Sequence, residues 1–214
     1  MRDAVARALA TAFLGLLLSV GSAAASETGS IAGRLRIGVE GLTFKDAGAI
    51  VVFLETVSVP SPPPAVSLPP AQVRQVGARF EPDFLVVARG QAVEMPNDDV
   101  IFHNVFSYSK PNDFDLGMYA AGESRRIRFE YPGLVRIYCS IHDEMDGLIF
   151  VAPSPSFARP DAGGEYLLSG VAAGSYRLHV WSERLPELVG PVEIRAGEAS
   201  KRDWVLGETA EHID

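Results

Sequence analysis

The stretch YCSIHDEM, residues 138–145, holds the single cysteine of the chain, Cys139, with His142 three residues on and Met145 three after that. A thiolate, an imidazole and a thioether are all metal donors. The run before them, GLVRIYC, alternates with period two, so Val135, Ile137 and Cys139 share one face and Arg136 takes the other. The next apolar run, GLIFVA, begins after Met145 and leaves residues 140–146 as a tight loop between two strands. Such a loop can bring all three side chains to one point without long-range organisation.

A fourth donor has to come from elsewhere, and His103 in VIFHNVFS is the candidate. Alternation there groups Ile101, His103 and Val105 on an inward face. Each residue has an ordinary alternative: a histidine satisfied in the core, a methionine in packing, a buried inert thiol. As a set, two imidazoles, one thiolate and one thioether describe a His₂Cys arrangement with a weak axial Met, the donor pattern of a type 1 (blue) copper site, one copper per chain. Zinc would favour a further His, Cys or carboxylate over the thioether. Haem attachment and a dinuclear two-cysteine copper centre both need a second Cys, which the chain lacks.

The elements around these residues read as all-β. Gly (20) and Pro (15) punctuate short runs rich in Val, Ile, Phe and Tyr, and no amphipathic helical repeat exceeds two turns. Strands are expected in SIAGRLRIG, GAIVVFLET, AQVRQVGARF, FLVVARGQAVEMP, VIFHNVFS, ESRRIRFEY, GLVRIYC, DGLIFVA, GEYLLSG, GSYRLHVWS, GPVEIRAG and SKRDWVL. ESRRIRFEY carries Arg125, Arg126 and Arg128 and reads as a charged edge strand rather than a docking patch.

Two proline-rich seams, VPSPPPAVSLPP (59–70) and APSPSFARP (152–160), should be extended and unpaired. They bracket a central block, 71–152, that contains the donor set. The flanking pieces, 27–58 and 156–207, look incomplete separately. Either they form one discontinuous sandwich into which the central block is inserted, or residues 27–57 add strands to the central block in simple tandem order.

The first 25 residues order a charged start (MRDAVAR), a short apolar run (ALATAFLGLLLSV) and small residues at Ala23 and Ala25, the pattern of a secretory signal cleaved after Ala25. The alternative is an uncleaved anchor, for which the run is short. Removing this stretch leaves 17 basic and 26 acidic residues, a balance that argues against nucleic acid as a partner and allows steering toward a basic one. The protein is expected to be periplasmic or secreted, with no membrane contact after cleavage. A lone thiol in an oxidising compartment cannot pair within its own chain, so Cys139 is either buried or occupied.

The central block resembles a cupredoxin. VRQVGARFEPDFLVVARGQAVEMPNDDVIFHNVFS is similar to the first half of plastocyanin-like domains, and YPGLVRIYCSIHDEM to the closing half, with loop spacing most like amicyanin. The resemblance implies His103, Cys139 and His142 as equatorial copper ligands and Met145 as the axial one. It implies that Asn104 ties the first ligand strand to the loop beside Cys139, with Ser140 as its partner; the alternative for Asn104 is a solvent-facing residue. One departure is that Ile141 precedes His142 where the family often has proline nearby, while Asp143 and Glu144 follow. Two carboxylates would favour protonated His142, so the reduced protein is expected to lose this ligand at mildly acidic pH. The flanking pieces, IAGRLRIG…DAGAIVVFLE and DAGGEYLLSGVAAGSYRLHVW, resemble a carboxypeptidase regulatory-like, transthyretin-like sandwich, whose two parts a short hairpin normally joins. The expected fold is therefore a cupredoxin Greek-key β-sandwich with a second small β-sandwich. Exported proteins of this layout are often labelled methylamine utilisation proteins, which implies at most an electron-transfer context with an amine dehydrogenase.

Copper enzymes of this fold place histidines beside the cysteine that lead to a second copper. Here Tyr138 and Ser140 flank Cys139, while His179 and His212 lie apart without companions. A non-enzymatic one-electron carrier working with redox partner proteins is the expected function, with the His142 edge as electron port and Phe106, Met118 and Ile141 as its apolar rim. Two alternatives stay open: a copper chaperone or storage module, and a recognition module carrying an incidental metal site.

Overall fold

The computed structural model describes residues 28–58 and 68–207; the signal-like stretch, most of the first proline seam and His212 lie outside the described residues. In chain order the strands are β1 Thr28–Ile37, β2 Ile50–Ser58, β3 Ala71–Gln72, β4 Arg74–Gln75, β5 Phe80–Glu81, β6 Phe84–Ala88, β7 Ala92–Pro96, β8 His103–Ser107 and β9 Phe114–Tyr119. They continue with β10 Ser124–Arg128, β11 Gly133–Tyr138, β12 Asp146–Ala152, β13 Phe157–Ala158, β14 Glu165–Ala172, β15 Gly174–Ser182, β16 Leu188–Ile194, β17 Ala199–Lys201 and β18 Trp204–Leu206. A single four-residue helix, α1 Phe44–Ala47, is the only helix among the described residues. The chain is all-β.

Two sheets enclose the core that holds the donor residues. One has the order β6-β12-β11-β8-β9, the other β10-β7-β3. Between them lie Val87, Val93, Met95, Val105, Tyr119, Phe129, Val135, Ile137, Ile149 and Val151, together with Cys139 and Met145. A second pair of sheets, β14-β1-β17 with β18 also on β1, and β13-β2-β15-β16, encloses Ile31, Leu35, Val52, Leu54, Leu178, Val180, Trp204 and Leu206. Strands β1 and β2, before the central block, thus share one core with β14, β15, β16 and β18 after it.

A third cluster joins the two pairs. Val51, Phe53 and Trp181 on β2 and β15 meet Phe84, Phe150 and Ala152 on β6 and β12. Phe150 lies 5.4 Å from Phe53 and 4.7 Å from Trp181, ring centre to ring centre. This contact explains why IVVFL in β2 and LIFVA in β12 are continuous apolar runs: both faces of each strand are covered.

Several expectations change. FLVVARGQAVEMP is two strands in different sheets: β6 runs parallel to β12, whereas β7 pairs with β10 and β3. AQVRQVGARF breaks into β3, β4 and β5 around a turn in which Gly77 and Ala78 both take positive φ. Strand β9 is absent from the expected set because PNDFDLGMY reads as turn-rich, yet pairing with β8 extends it. The second seam is not unpaired. Phe157 and Ala158 pair with Phe53 and Val52 of β2, and the Leu54 amide donates to the Ser156 carbonyl at 3.0 Å. β10 sits at the edge of its sheet, where Arg126 pairs with Glu94 and Arg125 with Glu123.

Candidate metal centre

Cys139 leaves the end of β11 pointing into the core, as the inward alternation of Val135 and Ile137 requires. The turn after it is held by backbone. The Cys139 amide donates to the Met145 carbonyl at 3.1 Å, and the Met145 amide to the His142 carbonyl at 3.0 Å. These two bonds fix where Cys139, His142 and Met145 stand relative to one another, and Met145 is almost fully buried in the same core.

His103 is the first residue of β8 and is completely buried. Its Nδ1 lies 3.7 Å from Cys139 Sγ, and His142 Nδ1 lies 3.6 Å from the same sulfur. The donor atoms of His103, Cys139 and His142 all lie within 4.8 Å of one another, the only such cluster among the described residues. The structure therefore brings His103 to Cys139 across 36 residues of sequence, with His142 three residues further on.

Ile101 does not share the inward face assigned to it. It is 43 % exposed, because β8 begins only at His103 and residues 97–102 form an irregular turn. The Asn97 side-chain amide shapes that turn by donating to the Ile101 carbonyl at 2.8 Å and to the Tyr119 carbonyl at 3.1 Å. Asn104 is buried rather than solvent-facing, and its Oδ1 accepts the Ser140 amide at 2.7 Å. A register shift between Asn104 and Phe106 in the pairing with β9 lets His103, Asn104 and Val105 all be buried in succession.

Asp99 is a functional residue the sequence reading missed. Its Oδ2 lies 3.1 Å from His103 Nε2 and also accepts the Ala78 amide at 2.8 Å. Its other oxygen accepts the Val100 amide at 2.9 Å. These two amide donations, then the His103 contact, hold the Asp99 carboxyl down to about 2. An ionised Asp99 accepts from Nε2–H and so leaves the Nδ1 lone pair free to face Cys139. The available signal was the acidic residue four positions before His103 in NDDVIFH. Behind His103, burial pushes the Tyr119 phenol up to about 12, so it stays protonated and donates to the Met95 carbonyl at 2.9 Å.

Around the cluster, Met118 is 47 % and Ile141 52 % exposed, while Phe106 is half-buried. Val100 and Phe102 are exposed as well, so the apolar surface near His103 is larger than expected. Asp143 and Glu144 are exposed. His179 is not without companions: Glu187 meets its Nδ1 at 2.9 Å and Glu55 its Nε2 at 3.3 Å, with Phe53 stacked on the ring at 4.7 Å. The two carboxylates contact opposite nitrogens of one ring, so they do not converge with it on one point as a donor set would.

No protein-family profile matches the chain, and no curated protein does. Among solved structures it is similar to a purple cupredoxin from Nitrosopumilus maritimus, 28 % identical over 38 % of this chain and 99 % of that one, with a TM-score of 0.35. It is similar to a copper-containing nitrite reductase (NirK) from Thermus scotoductus SA-01, 31 % identical over 45 % of this chain, with a TM-score of 0.38; the match spans 25 % of that enzyme's chain. A reduced amicyanin variant is 22 % identical over 44 % of this chain and 96 % of that one, with a TM-score of 0.37.

Proposed function

We propose that the central block is a cupredoxin domain binding one type 1 copper through His103, Cys139, His142 and Met145, and that the protein is a one-electron carrier. The observation that carries this reading is the convergence of one sulfur and two imidazole Nδ1 atoms within 4.8 Å. Separations of 3.6 and 3.7 Å are shorter than a metal–sulfur and a metal–nitrogen bond laid end to end, about 2.3 and about 2.0 Å, so one ion can bridge them. The donor set of two imidazoles, a thiolate and a thioether selects copper over zinc.

Copper bound here would supply reversible uptake of a single electron. The chain's own residues do the rest. Asp99 fixes the His103 tautomer, Asn104 pins the backbone beside Cys139, and the buried core keeps water from the sulfur. A pocket held this firmly changes little between oxidation states. His142, at the rim, is the point of contact for a redox partner protein, and the exposed Ile141 and Met118 make the surrounding surface apolar.

The rest of the layout follows the same reading. Residues 27–58 and 156–207 make one sandwich interrupted by the central block, a reading supported by the core that β1 and β2 share with β14, β15, β16 and β18. The leader pattern at 1–25 supports export. No helix among the described residues is long and apolar enough to cross a membrane.

The test is Cu²⁺ titration of the purified chain followed by visible absorption and EPR. An intense blue band and a narrow copper hyperfine splitting, both absent in Cys139→Ala, are expected, with a reversible one-electron wave in voltammetry. Weak absorption typical of nitrogen and oxygen ligands would overturn the reading. A blue band without a reversible wave would favour copper storage instead.

A further inference from the structure

The strand that delivers Cys139, β11, is paired with β12, and it is β12 that is packed on both faces. Inward, Val135 and Ile137 of β11 and Ile149 and Val151 of β12 fill the core beside the donor set. Outward, Phe150 and Ala152 of β12 are buried under Phe53, Val51 and Trp181 of the other sandwich. β11 and β12 are paired along their whole length, from Gly133 opposite Val151 to Tyr138 opposite Asp146. The last of those pairs adjoins Cys139 on one strand and Met145 on the other.

The outward side chain of Arg136, three residues before Cys139, reaches Glu183 at 3.2 Å. Glu183 is itself placed by the far sandwich. Gly48 takes φ 72°, and a Cβ there would lie 2.7 Å from the Glu183 carboxylate. The Glu183 amide donates to the Ala49 carbonyl at 2.9 Å. An exposed ion pair contributes little on its own. The aromatic cluster carries more, since it takes large apolar surface of Phe53, Phe150 and Trp181 out of water. Close-packed layers shift together rather than deform independently.

We propose that Trp181 and Phe53 are positioning residues for the metal centre: the sheet β13-β2-β15-β16 holds β12, and through it β11, from behind, so that the ligand loop depends on a contact containing no ligand. This rests on the copper reading for its functional meaning, but its structural content can be read without metal.

The experiment is amide hydrogen exchange on the metal-free full-length chain. Trp181→Leu is compared with Leu178→Ala, a buried change in the far core chosen to lower thermal stability by a similar amount. In Trp181→Leu the Cys139 and Met145 amides, whose bonds close the ligand loop, are expected to exchange about tenfold faster, and in Leu178→Ala to stay near wild type. If Trp181→Leu does not fold, Phe53→Leu makes the same comparison. Equal acceleration in both variants, or none in either, overturns the proposal. Copper loading gives a second readout: a changed ratio of visible bands and a changed hyperfine splitting in Trp181→Leu alone. Absence of a blue band in the wild type would defeat the copper reading while leaving the exchange comparison to decide the proposal.

Discussion

Asp99 Oδ2 and His103 Nε2 stand 3.1 Å apart, one turn of irregular chain joining them, with the carboxylate also gripped by the Ala78 and Val100 amides. The buried imidazole is thus oriented by a carboxylate of the protein itself. Its Nδ1 faces Cys139 because its Nε2 is already committed.

Removing that carboxylate should loosen the metal without unfolding the protein. Asp99→Asn is expected to weaken copper affinity about 10- to 100-fold, measured by competition with a chelator of known affinity. Near-wild-type affinity would show that the core alone orients His103.

The same carboxylate sets a pH dependence. Its folded value is depressed to about 2, below the ordinary carboxylate range, so it favours the folded state wherever the unfolded chain would be ionised. That stability is fully present above about pH 5 and is lost as the pH falls from there toward 2. The difference in unfolding free energy between wild type and Asp99→Asn should therefore shrink across this window. Chemical denaturation of the metal-free pair at several pH values checks it, and a constant difference would contradict it.

Asn104 accepts the Ser140 amide, so Asn104→Ala leaves that donor without its partner beside the ligand cysteine. A loss of about 1–3 kcal/mol is expected from urea unfolding, with faster exchange of the Ser140 amide. A cost of a few tenths would mean that water replaces the carboxamide oxygen.

Met145 separates packing from ligation. Met145→Leu conserves volume at a nearly fully buried position and should cost less than about 1.5 kcal/mol. Losing the thioether removes a donor that favours the oxidised metal, so the reduction potential should rise while the blue colour remains. An unchanged potential in voltammetry would make Met145 a packing residue only.

Much of the site was legible locally. Cys139, His142 and Met145 sit on one short turn, and period two put Cys139 inward beside Val135 and Ile137. The His103 strand was less legible. Strict alternation places Ile101 on its inner face, but the Asn97 carboxamide bends the chain before His103 and leaves Ile101 exposed. Asp99 offers only the weak signal of an acidic residue four positions before His103, because the turn that brings it to the imidazole has no regular period.

By itself the sequence determined the strand-rich composition, the inward Cys139 and the donor types, since these depend on residue identity and on periods of two to seven residues. Only the tertiary structure decided which strands share a sheet. It separated β6 from β7 across a three-residue turn, and it joined β1 and β2 to strands more than a hundred residues later. Those choices rest on burial of whole faces. The runs IVVFL and LIFVA carry no alternation from which to read a partner, because Phe53, Phe150 and Trp181 cover the second face through a contact between the two pairs of sheets.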